Sequence, residues 1–204
     1  MSSAVLYGLS VYTVFFAKFH ENTLLAFRLE DHYKRLVQSA KLIGLDDISS
    51  QYTYDTFVQI VTELKEANNI HDDMFFRCTL HAVNKVPGVR THGLEIELSI
   101  FLYEAENILP QEGARLKTSL WRRTADYAIP ARAKVNGAYV NSCLAKDEAL
   151  QNGYDDCVFL NQQGYVSELS AANIFLIKND TLITPDVSSD ILEGITRKSI
   201  ISLA

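Results

Sequence analysis

Apolar positions recur at helical spacing in two early segments. In LEDHYKRLVQSAKLIGL, Leu29, Tyr33, Leu36, Val37, Ala40 and Ile43 form one stripe. Glu30 and Asp31 suit the positive end of a helix, and Gly44 offers a C-terminal cap. Tyr54, Phe57, Val58, Val61 and Leu64 mark a second helix, which Asn68-Asn69 ends. The pattern then changes, and Met74 to Val83 and Leu94 to Tyr103 read as strands. The second alternates at its start, with Leu94, Ile96, Leu98 and Ile100 on one face. NKVPG and the residues after it form the loop between them.

The stretch EAENILPQEG (104–113) is polar, carries a proline and lacks sustained periodicity, so it reads as an interdomain linker. It separates a small domain, 1–103, from a larger one, 114–204. Beyond it the pattern predicts short strands at 116–121, 157–160, 165–168, 173–177 and 181–184. Asn161-Gln162-Gln163-Gly164 and Lys178-Asn179-Asp180 supply turns. A helix from about Ala138 to Asn152 interrupts the strands and stops at Gly153; another begins near Thr196. Helices sit beside strands without regular βαβ alternation, so the expected class is α+β.

Composition narrows the function classes. The 204 residues are 48% hydrophobic and 22% charged, ordinary for a globular chain. No apolar run approaches the length needed to cross a bilayer. The start, MSSAVLYGLSVYTVFF, has no basic segment and is interrupted by Tyr7, Gly8 and Ser10, which argues against a secretory signal. Nineteen basic against 25 acidic residues give a net charge of −6, the wrong sign for a generic nucleic-acid binder. Small-molecule chemistry in the cytoplasm is the expectation. Cys78, Cys143 and Cys157 are odd in number and widely spaced. They predict neither a disulfide framework nor a metal site, but small hydrophobes in a reducing compartment.

Three constellations could carry chemistry. Lys134, in ARAKVNGAYVNS, lies in a mostly small, apolar stretch just before a predicted helix. It reads either as a solvated loop lysine or as a desolvated amine competent to form a Schiff base. Tyr139, five residues on, reads as a core tyrosine or as a phenol in the same pocket. Glu168, in GYVSELSAANIF, interrupts an apolar strand and is either solvent-facing or a buried acid that holds a proton on a ligand nitrogen. Gly194-Ile195-Thr196, at a helix start, could offer backbone N–H groups and a hydroxyl to a phosphate; an ordinary N-cap threonine is the alternative.

Together, and in this order, these residues resemble the fold-type IV, pyridoxal-phosphate-dependent aminotransferases, most closely the branched-chain amino acid aminotransferases. The resemblance is carried by AKVNGAYVNSCLAKDEALQNGYDD, LNQQGYVSELSAANIFLIK and TPDVSSDILEGITRKSIISLA, with HYKRLVQSAKLIGL and WRRTADYAIPARAK before them. It implies a two-domain, D-amino acid aminotransferase-like fold with pyridoxal 5'-phosphate between the domains. Lys134 would bind that cofactor covalently and later shuttle a proton between Cα and C4′. Arg35 would bind the phosphate, with Ile195 and Thr196 adding backbone amides and a hydroxyl. Tyr139 would bond the phenolic oxygen, Glu168 would pair with the pyridine nitrogen, and Leu192 would pack on the ring. Tyr7, Tyr12 and Arg77 would contact substrate. The implied activity is transamination of branched-chain L-amino acids with 2-oxoglutarate, by a homodimer in amino-acid biosynthesis.

The chain also departs from the family pattern. Where branched-chain enzymes carry a Phe-Glu-Gly run followed by an arginine, it has Tyr12-Thr13-Val14-Phe15-Phe16, with Phe16 at the arginine position. A tyrosine expected two residues before Arg77 is Phe75. Relative to the family the chain looks truncated at both ends. Three alternatives follow: a 4-amino-4-deoxychorismate lyase, favoured by Thr13 after Tyr12; a D-amino acid aminotransferase; and a truncated, inactive relative.

Overall fold

The computed structural model describes every residue except Pro87, Ala105, Glu106 and Ile108. The expected linker at 104–113 includes three of these and to that extent lies outside the described residues. Two units result: Met1–Glu106 with Ala133–Gly137, and Asn107–Arg132 with Ala138–Ala204. The reading along the chain put 133–137 in the second domain; their contacts place them in the first unit.

The first unit runs α1 (Ser3–Tyr7), β1 (Ser10–His20), β2 (Thr23–Ala26), α2 (Leu29–Leu42), α3 (Tyr54–Ala67), β3 (Met74–Ala82) and β4 (Ile96–Glu104). The strands form an antiparallel sheet in the order β2-β1-β3-β4. Register sets Val11, Thr13 and Phe15 beside Leu80, Cys78 and Phe76 on one face. That face is buried, as are Leu36 and Ala40 of α2 and Phe57 of α3. The hairpin between β1 and β2 turns on Glu21 and Asn22, both at positive φ. Gly44, at φ 75°, ends α2 as the sequence predicts; a side chain there would strike Thr91 Oγ1.

β1 is the longest strand, and no strand was expected there. Its first residues explain why. Val11, Tyr12 and Thr13 are all buried, so both faces of β1 are covered and period-two alternation disappears.

The second unit runs β5 (Leu116–Arg122), α4 (Tyr139–Gln151), β6 (Asp156–Leu160), β7 (Val166–Leu169), β8 (Leu176–Lys178), β9 (Thr181–Ile183), a 3₁₀ turn (Val187–Ser189) and α5 (Ile195–Leu203). β5 and β6 pair in parallel, with α4 as the crossover, and β7 joins β6 antiparallel. Ala145 and Ala149 of α4 pack with Cys157 and Phe159 of β6 in a buried cluster. The small side chains let helix and strand approach closely. Cys143 is a correction: it is exposed on α4, whereas Cys78 and Cys157 are buried as expected. Burial pushes both of those thiols up to about 12. The strand expected at 173–177 begins only at Leu176; Asn173 lies before it, with its side chain bonded to Glu168 and the Leu192 carbonyl.

Candidate active site

Lys134 is positioned through its backbone. Its N–H donates to Ser39 Oγ of α2 at 3.1 Å, and its carbonyl accepts from Tyr12 N at 2.9 Å. One residue on, Val135 forms a bridge with Val11, and Asn136 N donates to Ser10 O at 2.9 Å. Residues 134–136 thus extend the sheet along the start of β1. Gly137 meets Gly8 there: a side chain on Gly8 would come within 2.8 Å of Gly137 Cα. This close approach fits glycine at both positions.

The Lys134 ammonium lies over the Tyr12 ring, 4.8 Å from its centroid. The Arg77 guanidinium stacks on the same ring at 3.7 Å. Register puts Val14 opposite Arg77 and Phe16 opposite Phe75, so these side chains share the sheet face turned away from α2. Phe16 meets Phe75 edge-on, and Phe75 stacks on Tyr103, continuing an aromatic wall beside Arg77.

Arg35 projects from α2 and donates through Nη2 to Thr13 Oγ1 at 3.0 Å. The same hydroxyl lies 3.0 Å from His32 Nδ1 in a buried contact. Burial first, and then the Arg35 cation, lower the His32 pKa to about 3. His32 is therefore neutral at pH 7, and its ring can accept the hydroxyl proton while Arg35 donates to the oxygen.

In the second unit Glu168 is buried, at 6% exposure. Its Oε1 pairs with Arg123 Nη2 at 2.8 Å. Its Oε2 accepts from Leu192 N at 3.0 Å and from Asn173 Nδ2 at 3.1 Å. Asn173 Nδ2 also donates to the Leu192 carbonyl at 2.8 Å, which ties the carboxylate to the Leu192 backbone. Two residues on, Gly194 is the N-cap of α5, and no side chain caps that terminus. A Cβ on Gly194 would lie 2.2 Å from Asn173 Oδ1. Glu168, Leu192 and the start of α5 are thus one packed arrangement, anchored below by Arg197, which donates to the Pro185 carbonyl.

The expected site residues therefore fall into two groups. The first unit brings together Lys134, Tyr12 and Arg77, with Arg35 close by on α2. Tyr7 ends α1 and is exposed. The second unit joins Glu168 to Leu192 and to Ile195, the first residue of α5, with Thr196 exposed in its first turn. Tyr139 opens α4. Gly194, not Thr196, is the N-cap, so the ordinary capping threonine drops out. Five supporting residues were not anticipated: Arg123, Asn173, Asn136, Thr13 in its link to Arg35, and His32. No local pattern singled out Arg123, which follows Arg122 in the mixed stretch WRRTADY.

The family model "Amino-transferase class IV" matches residues 10–204, and the chain belongs to that family. It is 37% identical over 206 residues to a probable branched-chain-amino-acid aminotransferase of Aquifex aeolicus, covering 100% of this chain and 65% of that protein. The Pseudomonas aeruginosa branched-chain-amino-acid aminotransferase is 34% identical, over 87% of this chain and 58% of its own length. Among solved structures, the branched-chain aminotransferase of Thermoproteus uzoniensis superposes with a TM-score of 0.94 at 36% identity, covering 100% of this chain and 67% of that one. The Escherichia coli enzyme gives 0.92 at 31% identity, with the same coverage. The fold is that of the fold-type IV aminotransferases. The chain spans less than two thirds of the length of the curated relatives it matches.

Proposed function

We propose that the protein transfers amino groups between branched-chain L-amino acids and 2-oxoglutarate, using pyridoxal 5'-phosphate. The observation that carries this is Lys134, clamped by backbone bonds with its amine on the Tyr12 ring next to Arg77. The similarity to branched-chain-amino-acid aminotransferases supports the substrate class, and one such enzyme of the same fold was solved with pyridoxamine 5'-phosphate.

The residues fit a phosphorylated pyridine aldehyde. An amine, a guanidinium, a buried carboxylate and a helix start without a side-chain cap are the donor set such a group needs. The missing Cβ at Gly194 leaves room for the Asn173 amide, which joins that helix start to Glu168. When bound, the cofactor supplies an aldehyde for the amino group and a pyridinium that withdraws electrons. Lys134 Nζ would hold the aldehyde carbon, whose oxygen leaves as water, and would move the proton at the substrate Cα. Glu168 would hold the proton on the pyridine nitrogen. Arg35 and the first turn of α5, with Ile195 and Thr196, bind the phosphate. Tyr139 would donate to the phenolic oxygen, and Leu192 would pack against the ring. Tyr7, Tyr12 and Arg77 orient substrate, the last through a carboxylate. The working form on this reading is a cytoplasmic homodimer; unpaired cysteines support the compartment. Among the described residues no helix is long and apolar enough to cross a membrane.

Thr13, which favoured a lyase, is buried against His32 and Arg35 rather than lying with Tyr12 and Arg77. That supports transamination over pyruvate release. The test is direct. Protein given pyridoxal phosphate should turn yellow, and borohydride should then fix the cofactor to Lys134, as read by peptide mass. Lys134→Ala should lose the fixed label and leucine transamination together. Absence of the label in the wild type overturns the proposal, and pyruvate release from aminodeoxychorismate without leucine turnover transfers it to the lyase.

A further inference from the structure

We propose that Asn136 is the positioning residue that orients Arg77 while leaving its charge intact, and that it thereby sets the preference for a dicarboxylate at this site. The inference rests on the reading of Arg77 as a substrate-carboxylate group.

Arg77 has two supports. The Tyr12 ring, 3.7 Å from the guanidinium carbon, fixes the plane of the group. A ring face does not fix rotation within that plane. The hydrogen bond from Arg77 Nη2 to Asn136 Oδ1, at 2.6 Å, does. Asn136 cannot easily turn away. Its Nδ2 donates to Ser10 Oγ at 2.8 Å, and its backbone N–H donates to Ser10 O at 2.9 Å. Flipping the amide would set N–H against N–H at Arg77; the Ser10 hydroxyl can serve either orientation, so the donor-only guanidinium chooses one.

The chemistry of the acceptor matters as much as its place. Among the described residues no Asp or Glu forms an ion pair with Arg77. An amide oxygen takes one of five guanidinium N–H donors and contributes no counter-charge. The remaining donors and the full positive charge stay available to an incoming carboxylate. An aspartate of the same shape would hold the guanidinium equally well and cancel the charge. Position 136 thus separates orientation from neutralisation.

Two unreactive acids read this out by calorimetry on the cofactor-loaded protein. Glutarate carries a second carboxylate; 4-methylvalerate replaces it with a branched aliphatic end. Asn136→Asp should weaken glutarate by about tenfold or more and leave 4-methylvalerate within about twofold. Asn136→Ala, which keeps the charge and loses the orientation, should weaken glutarate by about threefold to tenfold, again selectively. In turnover the loss should fall on the KM for 2-oxoglutarate rather than on kcat with leucine. Melting curves and far-ultraviolet spectra of both variants should match the wild type. Equal loss for both acids, or unchanged glutarate binding in Asn136→Asp, overturns the proposal while leaving the role of Arg77 standing. Unchanged glutarate binding in Arg77→Ala overturns the carboxylate role of Arg77, and the role of Asn136 with it.

Discussion

Lys134 and Glu168 are held in opposite ways. Lys134 is fixed by backbone bonds to Ser39 and Tyr12, and its amine rests on an aromatic face. Glu168 is fixed through its carboxylate, by Arg123, Asn173 and the Leu192 N–H. The difference matches the work proposed for each. A nucleophile that binds, releases and carries protons needs an anchored backbone, because its side chain must change partners. A carboxylate that holds one proton in place needs its oxygens immobilised. Substitution should therefore separate stability from activity at one position and join them at the other.

The largest expected contrast comes from Lys134→Ala and Glu168→Gln. Alanine at 134 keeps every backbone bond of the clamp, so unfolding free energy should stay within about 1 kcal/mol of the wild type while transamination is lost. Glutamine at 168 leaves the Arg123 cation buried opposite a neutral amide. Removing one partner of a buried pair costs about 3–5 kcal/mol. Urea titration should show that loss, and half-reaction rates should fall with it. A Glu168→Gln variant as stable as Lys134→Ala would erase the contrast. Arg123→Met adds a control, because it should destabilise without altering any group proposed to touch the cofactor.

The next effect lies where Glu168 meets α5. Gly194 has φ −62° and ψ 141°, values any residue adopts, so backbone strain is not the issue. The obstacle is the 2.2 Å approach of a Cβ to Asn173 Oδ1. Gly194→Ala should push the Asn173 amide off Glu168 and the Leu192 carbonyl and cost about 1–3 kcal/mol. Adding Asn173→Ala removes the obstacle, so the double variant should be destabilised by less than the sum of the singles. Simple additivity would mean that Gly194 and Asn173 act separately.

How much of this was legible in the sequence depends on which residues carry the information. Helices α2 and α3 were, because each buries one face and leaves a 3.6-residue stripe. β1 was not, since Val11, Tyr12 and Thr13 are buried together and leave no alternation to read. Lys134 and Glu168 stood out as charged residues in apolar surroundings. Their supports did not. Asn136, Asn173 and Thr13 are short polar side chains of the kind that fill loops and turns. Their roles depend on partners 59 residues away in the case of Asn136 and Arg77, and 22 in the case of Thr13 and Arg35. Local patterns cannot report such pairings. Asn173 even sat in an expected strand, although the strand starts only at Leu176 and the Asn173 side chain bonds to Glu168 and Leu192.

The smallest effect at neutral pH, and one that grows with acid, belongs to His32. Its folded pKa is about 3, against 6.5 for the unperturbed side chain. Burial is the main cause and the Arg35 cation the second; Lys134 and Arg28 act in the same direction, while Asp31 opposes them. Because the folded value is depressed, the unfolded chain binds the extra proton between these limits. The contribution of neutral His32 to stability is complete above about pH 6.5 and is lost progressively as pH falls toward about 3. The slope cannot exceed about 1.4 kcal/mol per pH unit for one proton. His32→Asn retains a polar group near Thr13 and Arg35 but does not titrate. Its unfolding free energy should match or fall below the wild type at pH 7.5, and should decline less steeply between pH 6 and pH 4. Parallel curves would mean that His32 takes its proton with the fold intact. The contact of His32 with Thr13, and through it with Arg35, would then set no limit on that proton.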